Sequence, residues 1–278
     1  MVIAAGVLCK RYMDRRTADA QFNSIQGSVN ADAENREETE IKESGEEAGA
    51  NDAEGGSGEK DLESDTENDD KETDISEEYG IEIPEKDLDW NALHEQNEDI
   101  YAWICVPDTT VDYPVLQHPT DNSYYLNYNM DGTRGYPGCI YTEDFNGKDF
   151  SDIHTVIYGH NLKDKTMFSS LHNFEDEELM SGDHYIFIYT QDYVFVYRIF
   201  AAYEFSAIHL LDNYDYANEY VYADYLKQIY RMAERGANVR EDIEVTTDDK
   251  IVTLSTCTED HDSGRRFLVT GVLVNPEE

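Results

Sequence analysis

Thr253-Leu254-Ser255-Thr256-Cys257 ends an apolar run that opens at Ile251, the composition of a buried strand. Side chains alternate across a strand, so Thr253, Ser255 and Cys257 share one face and Val252, Leu254 and Thr256 the other. The cysteine therefore emerges at a strand end among small hydroxyl residues. A cysteine buried as a small hydrophobe is inert, whereas an exposed thiol near a cation is reactive. The strand-end setting beside small hydroxyls weakens the first reading.

Two other strand-like runs end or begin in residues that suit a thiol nucleophile. His154-Thr155-Val156-Ile157-Tyr158 leads into Gly159-His160-Asn161. An imidazole there can pair with a thiolate or protonate a departing amine. Gly264-Arg265-Arg266-Phe267 opens the last strand, and a guanidinium can hold an oxyanion. Arg265, Phe267 and Val269 fall on one face and Arg266, Leu268 and Thr270 on the other. The second face is less apolar, which favours Arg266 as the residue directed at a site. The chain has eight histidines, so an exposed loop histidine is the bland alternative for His160. His261 is the rival partner, in the polar loop Glu259-Asp260-His261-Asp262-Ser263.

The 278 residues carry a formal net charge of −40, unevenly spread. From about residue 30 to 78, Glu, Asp, Ser, Gly and Asn dominate. Such a stretch buries too little apolar surface to offset its ordering entropy and reads as a disordered spacer. An acidic tail for cations or a basic partner is the alternative. The folded part is acidic too, which argues against a nucleic-acid partner. Cys9, Cys105, Cys139 and Cys257 form no C-x-x-C and no zinc-like spacing with histidine, so neither a disulfide framework nor a metal site is expected. Residues 1–9 are apolar and precede Lys10-Arg11. That run is about half of the roughly 20 residues a membrane span needs. A truncated membrane anchor and a short frayed helix both fit it.

The layout is thus 1–16, an apolar run with a basic flank, 17–79, the acidic spacer, and 80–278, a folded domain carrying the cysteine, histidine and arginine. Within the last, strands are expected at residues 101–106, 110–116 (with Pro114 suggesting an edge or bulge), 138–141, 154–158, 185–189, 193–205, 251–256 and 267–274. Met167, Leu171 and Phe174 suggest a helix. Residues 216–235 form the best helix, with Tyr222, Tyr225, Leu226, Ile229 and Met232 on one face. Many short strands with a few helices suggest an antiparallel barrel with helical additions, a mainly β fold.

At this point the residues resemble a known family. Thr253-Leu254-Ser255-Thr256-Cys257 is similar to the signature of sortases, class B. Tyr158-Gly159-His160-Asn161 resembles the sortase histidine motif, and Arg266-Phe267-Leu268-Val269 the segment that carries the family's arginine. Trp103-Ile104, Thr110-Val111-Asp112-Tyr113-Pro114-Val115, Asp121-Asn122-Ser123-Tyr124-Tyr125-Leu126 and Met167-Phe168 stand in the family's order. The resemblance covers roughly residues 88–274. It implies an eight-stranded sortase β-barrel with N-terminal helices and a long helix before the last strands. It also implies a membrane-anchored cysteine transpeptidase on the outer face of a Gram-positive bacterium, which favours the truncated anchor. Cys257 would attack the Thr carbonyl of an LPxTG-like or NPxTx-like sorting signal on a surface protein, Arg266 would hold the oxyanion, and His160 would protonate the leaving amine. A peptidoglycan amine would then take the acyl group, with no cofactor. Asn122, Leu126, Tyr225, Leu226 and Ser255 match positions in the family's substrate groove, with plain helix packing as the alternative for Tyr225 and Leu226. Cys105 within the first strand departs from the pattern and has no assigned role, and the doubled arginine leaves the register open. Two rivals are a Cys-His hydrolase of another fold and a non-catalytic surface-binding module.

Overall fold

Alternating apolar runs become strands, and their hydrogen-bonding order closes a ring. A computed structural model of the chain describes residues 80–258 and 264–275. The expected anchor at 1–16, the spacer at 17–79 and His261 lie outside the described residues. Nine strands form one sheet: β1 Ile100–Val106, β2 Val111–Leu116, β3 Ile140–Tyr141, β4 His154–Tyr158, β5 Tyr185–Tyr189, β6 Val194–Ser206, β7 Asn238–Val239, β8 Ile251–Cys257 and β9 Arg265–Leu273. Their order is β5-β1-β2-β3-β4-β8-β9-β6-β7, and β5 also pairs with β6. That pairing closes the first eight into a barrel, with β7 attached to β6 outside the ring. Closure leaves those strands no open edge.

Among the described residues five α-helices decorate the barrel: α1 Trp90–Gln96, α2 Tyr124–Asn127, α3 Glu177–Met180, α4 Leu210–Asn213 and α5 Glu219–Tyr230, which lies before the last two barrel strands. The Met167, Leu171, Phe174 spacing gives a 3-10 helix, Ser169–Glu175, rather than an α-helix. The helix expected over 216–235 is shorter at both ends. Asn218 caps α5, its side-chain oxygen accepting from the amides of Tyr220 and Val221, and a glycine at φ 84°, Gly236, closes the turn after it. No helix among the described residues is long and apolar enough to cross a membrane.

The barrel is mixed rather than antiparallel. β2–β3 and β4–β8 are parallel pairs. Both connections are long, as a parallel neighbour requires: residues 117–139 with α2 in the first, and residues 159–250 in the second. The bulge lies in β1, between Ile100 and Ala102, and not at Pro114. β3 pairs with β2 only from Val115 onward.

α5 packs Tyr222, Tyr225, Leu226 and Ile229 into a cluster with Val156, Phe200, Tyr203, Ile251 and Leu268. Burying side chains of this size contributes about 1.5–3 kcal/mol each. A polar thread runs through this core. His154 Nε2 bonds Thr253 Oγ1 at 2.8 Å, Thr253 Oγ1 meets Thr270 Oγ1 at 3.1 Å, and Thr270 Oγ1 reaches Tyr203 OH at 3.5 Å. His154 Nδ1 has no hydrogen-bond partner. Burial lowers the His154 pKa from 6.5 to about 3, so the folded chain keeps the ring neutral.

This gives a signed expectation. Between pH 6.5 and about 3 the unfolded chain protonates His154 and the folded chain does not. Stability from this group is complete above 6.5 and falls as pH drops, by up to about 1.4 kcal/mol per pH unit. A His154→Gln variant lacks the component, so its stability deficit against the parent, read by urea denaturation, narrows from pH 6.5 downward. A deficit constant with pH contradicts the assignment.

Candidate active site

β8 carries the cysteine out of the core. Thr253 and Ser255 are buried, whereas Cys257 is half-exposed at the strand end. In the β8–β9 ladder Cys257 stands opposite Arg266. Arg266 Nη1 donates to Cys257 Sγ across 2.9 Å. The other N–H groups of the guanidinium can hold negative charge that develops on a neighbouring oxygen. Arg265 points elsewhere, with Nε 3.1 Å from Glu204 Oε2. The alternation that singled out Arg266 matches this split.

His160 arrives beside the same strand end because β4 runs parallel to β8. Tyr158 is paired with Ser255, and the Gly159 amide donates to Ser255 O at 3.1 Å. A Cβ on Gly159 would lie 2.5 Å from Ile140 Cδ1 and 2.6 Å from Phe168 Cδ2, so only glycine passes here. His160 Nε2 lies 3.2 Å from Leu126 O, and its ring sits 5.2 Å from that of Tyr136. Asn161 Nδ2 donates to Cys257 O at 3.1 Å, tying the histidine loop to the cysteine.

A cleft opens next to Arg266. Asn122, Leu126, Tyr141, Tyr158 and Ser255 line it, together with residues 206–210. Asn122 is braced by Asp144, whose amide donates to its Oδ1 at 2.9 Å. Tyr141 and Tyr158 stack at 5.4 Å between ring centres. Burial raises both phenol pKa values well above 10.0, so neither supplies a base. His209 Nε2 meets Glu143 Oε2 at 2.5 Å on the cleft wall.

Three of the five groove residues expected from sequence, Asn122, Leu126 and Ser255, line this cleft. Tyr225 and Leu226 do not. They are 1% and 4% exposed and pack in the core against β4, β6 and β8. Their expected substrate contact is corrected accordingly: a helical stripe of apolar residues shows that a face is covered, not what covers it. The wall at 206–210 took their place and was missed. Ile208 within it is 40% exposed. Cys105 and Cys139 are buried. Among the described residues no group of three or more His, Cys, Asp or Glu is placed to hold a metal ion.

A closed barrel that sets an arginine on a strand-end thiol, beside a histidine loop and a cleft, defines a cysteine acyl-transfer enzyme. Residues 104–274 match the sequence model of the Sortase domain. The chain is 33% identical over 185 residues to sortase B of Listeria monocytogenes, covering 66% of this chain and 72% of that protein. Sortase B from B. anthracis in complex with AAEK1 aligns with a TM-score of 0.57 at 30% identity, over 67% of this chain and 84% of that one. The Staphylococcus aureus sortase B–substrate complex aligns with a TM-score of 0.57 at 28% identity, over 68% and 85%. The chain belongs to the sortase family, class B, and is a cysteine transpeptidase of the cell-wall sorting type.

Exposure separates the thiols in a measurable way. Burial raises the Cys139 thiol well above its ordinary pKa, and Cys105 is buried as well. Iodoacetamide applied to the native chain, followed by peptide mapping, is expected to label Cys257 and spare Cys105 and Cys139. After unfolding all three react. Equal labelling of the three in the native chain contradicts the placement.

Proposed function

We propose that Cys257 attacks the Thr carbonyl of an LPxTG-like or NPxTx-like sorting signal and forms a thioacyl-enzyme. The observation that carries this reading is the Arg266 Nη1 to Cys257 Sγ contact at 2.9 Å, set by strand register. The thiolate adds to the carbonyl carbon. The oxygen takes the negative charge and is held by Arg266. Collapse breaks the C–N bond, and His160 gives its proton to the departing amine. A peptidoglycan amine then attacks the thioester, His160 accepts its proton, and the C–S bond breaks to restore the thiolate. The signal lies along the cleft walled by Asn122, Leu126, Ser255 and residues 206–210.

Residues 80–278 form the catalytic domain in this reading. Residues 17–79 serve as an acidic spacer that self-repulsion extends, and residues 1–16 belong to a membrane anchor. The enzyme then works at the outer face of a Gram-positive cell, on surface proteins held near the membrane. The sequence features that support the layout are the acidic composition of the spacer and the apolar run before Lys10-Arg11.

The test is cleavage of a library of fluorogenic sorting-signal peptides by the full chain, with and without a small amine acceptor. Cys257→Ala abolishes turnover. His160→Ala lowers kcat by about 10²-fold or more, and Arg266→Ala by a similar factor. His261→Ala and Arg265→Ala leave it near normal, and the amine diverts product from acid to amide. Full activity in His160→Ala with loss in His261→Ala reverses the acid–base assignment. Turnover of no peptide, with a thiol of ordinary reactivity, favours a non-catalytic binding module.

A further inference from the structure

β4 stops pairing with β8 one rung too early to hold the nucleophile's own peptide. Its last contact is the Gly159 amide on Ser255 O. Strand carbonyls two residues apart point to the same side, so Cys257 O faces the place where β4 has ended. Two side chains fill that place. Asn161 Nδ2 donates to Cys257 O at 3.1 Å, and His172 Nε2 lies 3.0 Å from the same oxygen. A carbonyl has two lone pairs and can accept both. Asn161 Nδ2 and His172 Nε2 are themselves 3.1 Å apart, so amide, imidazole and carbonyl form one cluster.

His172 is itself fixed. Its Nδ1 lies 2.6 Å from Glu175 Oε1, and its ring stacks on Phe267 with centres 4.4 Å apart. Carboxylate and carbonyl oxygens only accept, so each of these contacts is a hydrogen bond in the tautomer whose facing ring nitrogen carries the hydrogen. Phe267 is the β9 residue directly after Arg266, so the stack braces the imidazole against the strand that presents the guanidinium.

We propose that His172, oriented by Glu175, is a positioning residue of the transfer reaction. It substitutes for the missing rung of β4 and holds the Cys257 peptide from the edge opposite β9. With both edges held, Sγ stays on Arg266 and within reach of the His160 loop. This rests on the assignment of Cys257 as nucleophile.

The test compares peptide cleavage by the parent chain, His172→Phe, His172→Gln and Glu175→Gln. Phenylalanine keeps the stack on Phe267 and removes both ring nitrogens. Glutamine restores a donor toward Cys257 O. A misplacement of about 1 Å can cost 10²-fold, so His172→Phe is expected to lower kcat between about 10- and 100-fold with KM unchanged. His172→Gln recovers most of that loss. Glu175→Gln, at a largely exposed carboxylate, keeps the fold and lowers kcat to a smaller degree. Parental kcat in His172→Phe overturns the proposal. So does an equal loss in the Phe and Gln variants with melting temperatures lowered alike, which marks a packing role. Absent turnover in the parent chain, or turnover retained in Cys257→Ala, removes the nucleophile assignment as well and is thereby told apart from failure of the clamp alone.

Discussion

The pairing of Cys257 with Arg266 across β8 and β9 is the constraint on which the site depends. A slip of one residue in that ladder would turn every side chain of β9 to the other face. Arg265 would then meet the thiol, and Arg266 would face the position now occupied by Glu204. β9 buries the consecutive residues Phe267, Leu268 and Val269, so both of its faces are apolar and burial alone does not select the register. The polar thread from His154 through Thr253 and Thr270 adds a directional lock, since only this register brings the two hydroxyls together. Core packing and catalytic geometry are therefore one problem in this barrel.

The remaining parts of the site follow from topology. A parallel β4 beside β8 brings the end of β4 and the end of β8 to the same rim, and the histidine loop leaves from one as the cysteine leaves from the other. The cleft lies between that rim and the loop at the end of β6, which pairs along β9 up to Ser206 and Arg265. Gly159 has no room for a side chain, so the histidine loop enters on a single path. An acyl-transfer site gains from such fixity, because charge develops on an oxygen whose place must be ready before it forms.

Much of this was legible in the sequence, and the failures share a cause. Strand-end positions for Cys257, His160 and Arg266 could be read because alternation and glycine punctuation are local signals. Strand direction could not, since an alternating run reads the same in a parallel or an antiparallel pair; hence the expected antiparallel barrel proved mixed. Tyr225 and Leu226 lie on an apolar helical stripe that equally well covers a core or lines a groove. Their burial shows that it covers a core. His172 was invisible because its relation to Cys257 spans 85 residues and exists only through the fold. The wall at 206–210 and the Glu143–His209 pair are tertiary in the same sense.

The most direct test is to locate the acyl group itself. The full chain is mixed with a sorting-signal peptide, quenched in acid within the first turnover, and read by intact mass followed by peptide mapping. The account predicts a mass increase equal to the signal's N-terminal fragment through Thr less one water, on Cys257, removed by hydroxylamine. An adduct on Cys105 or Cys139, or product release with no covalent species in the first turnover, would contradict it.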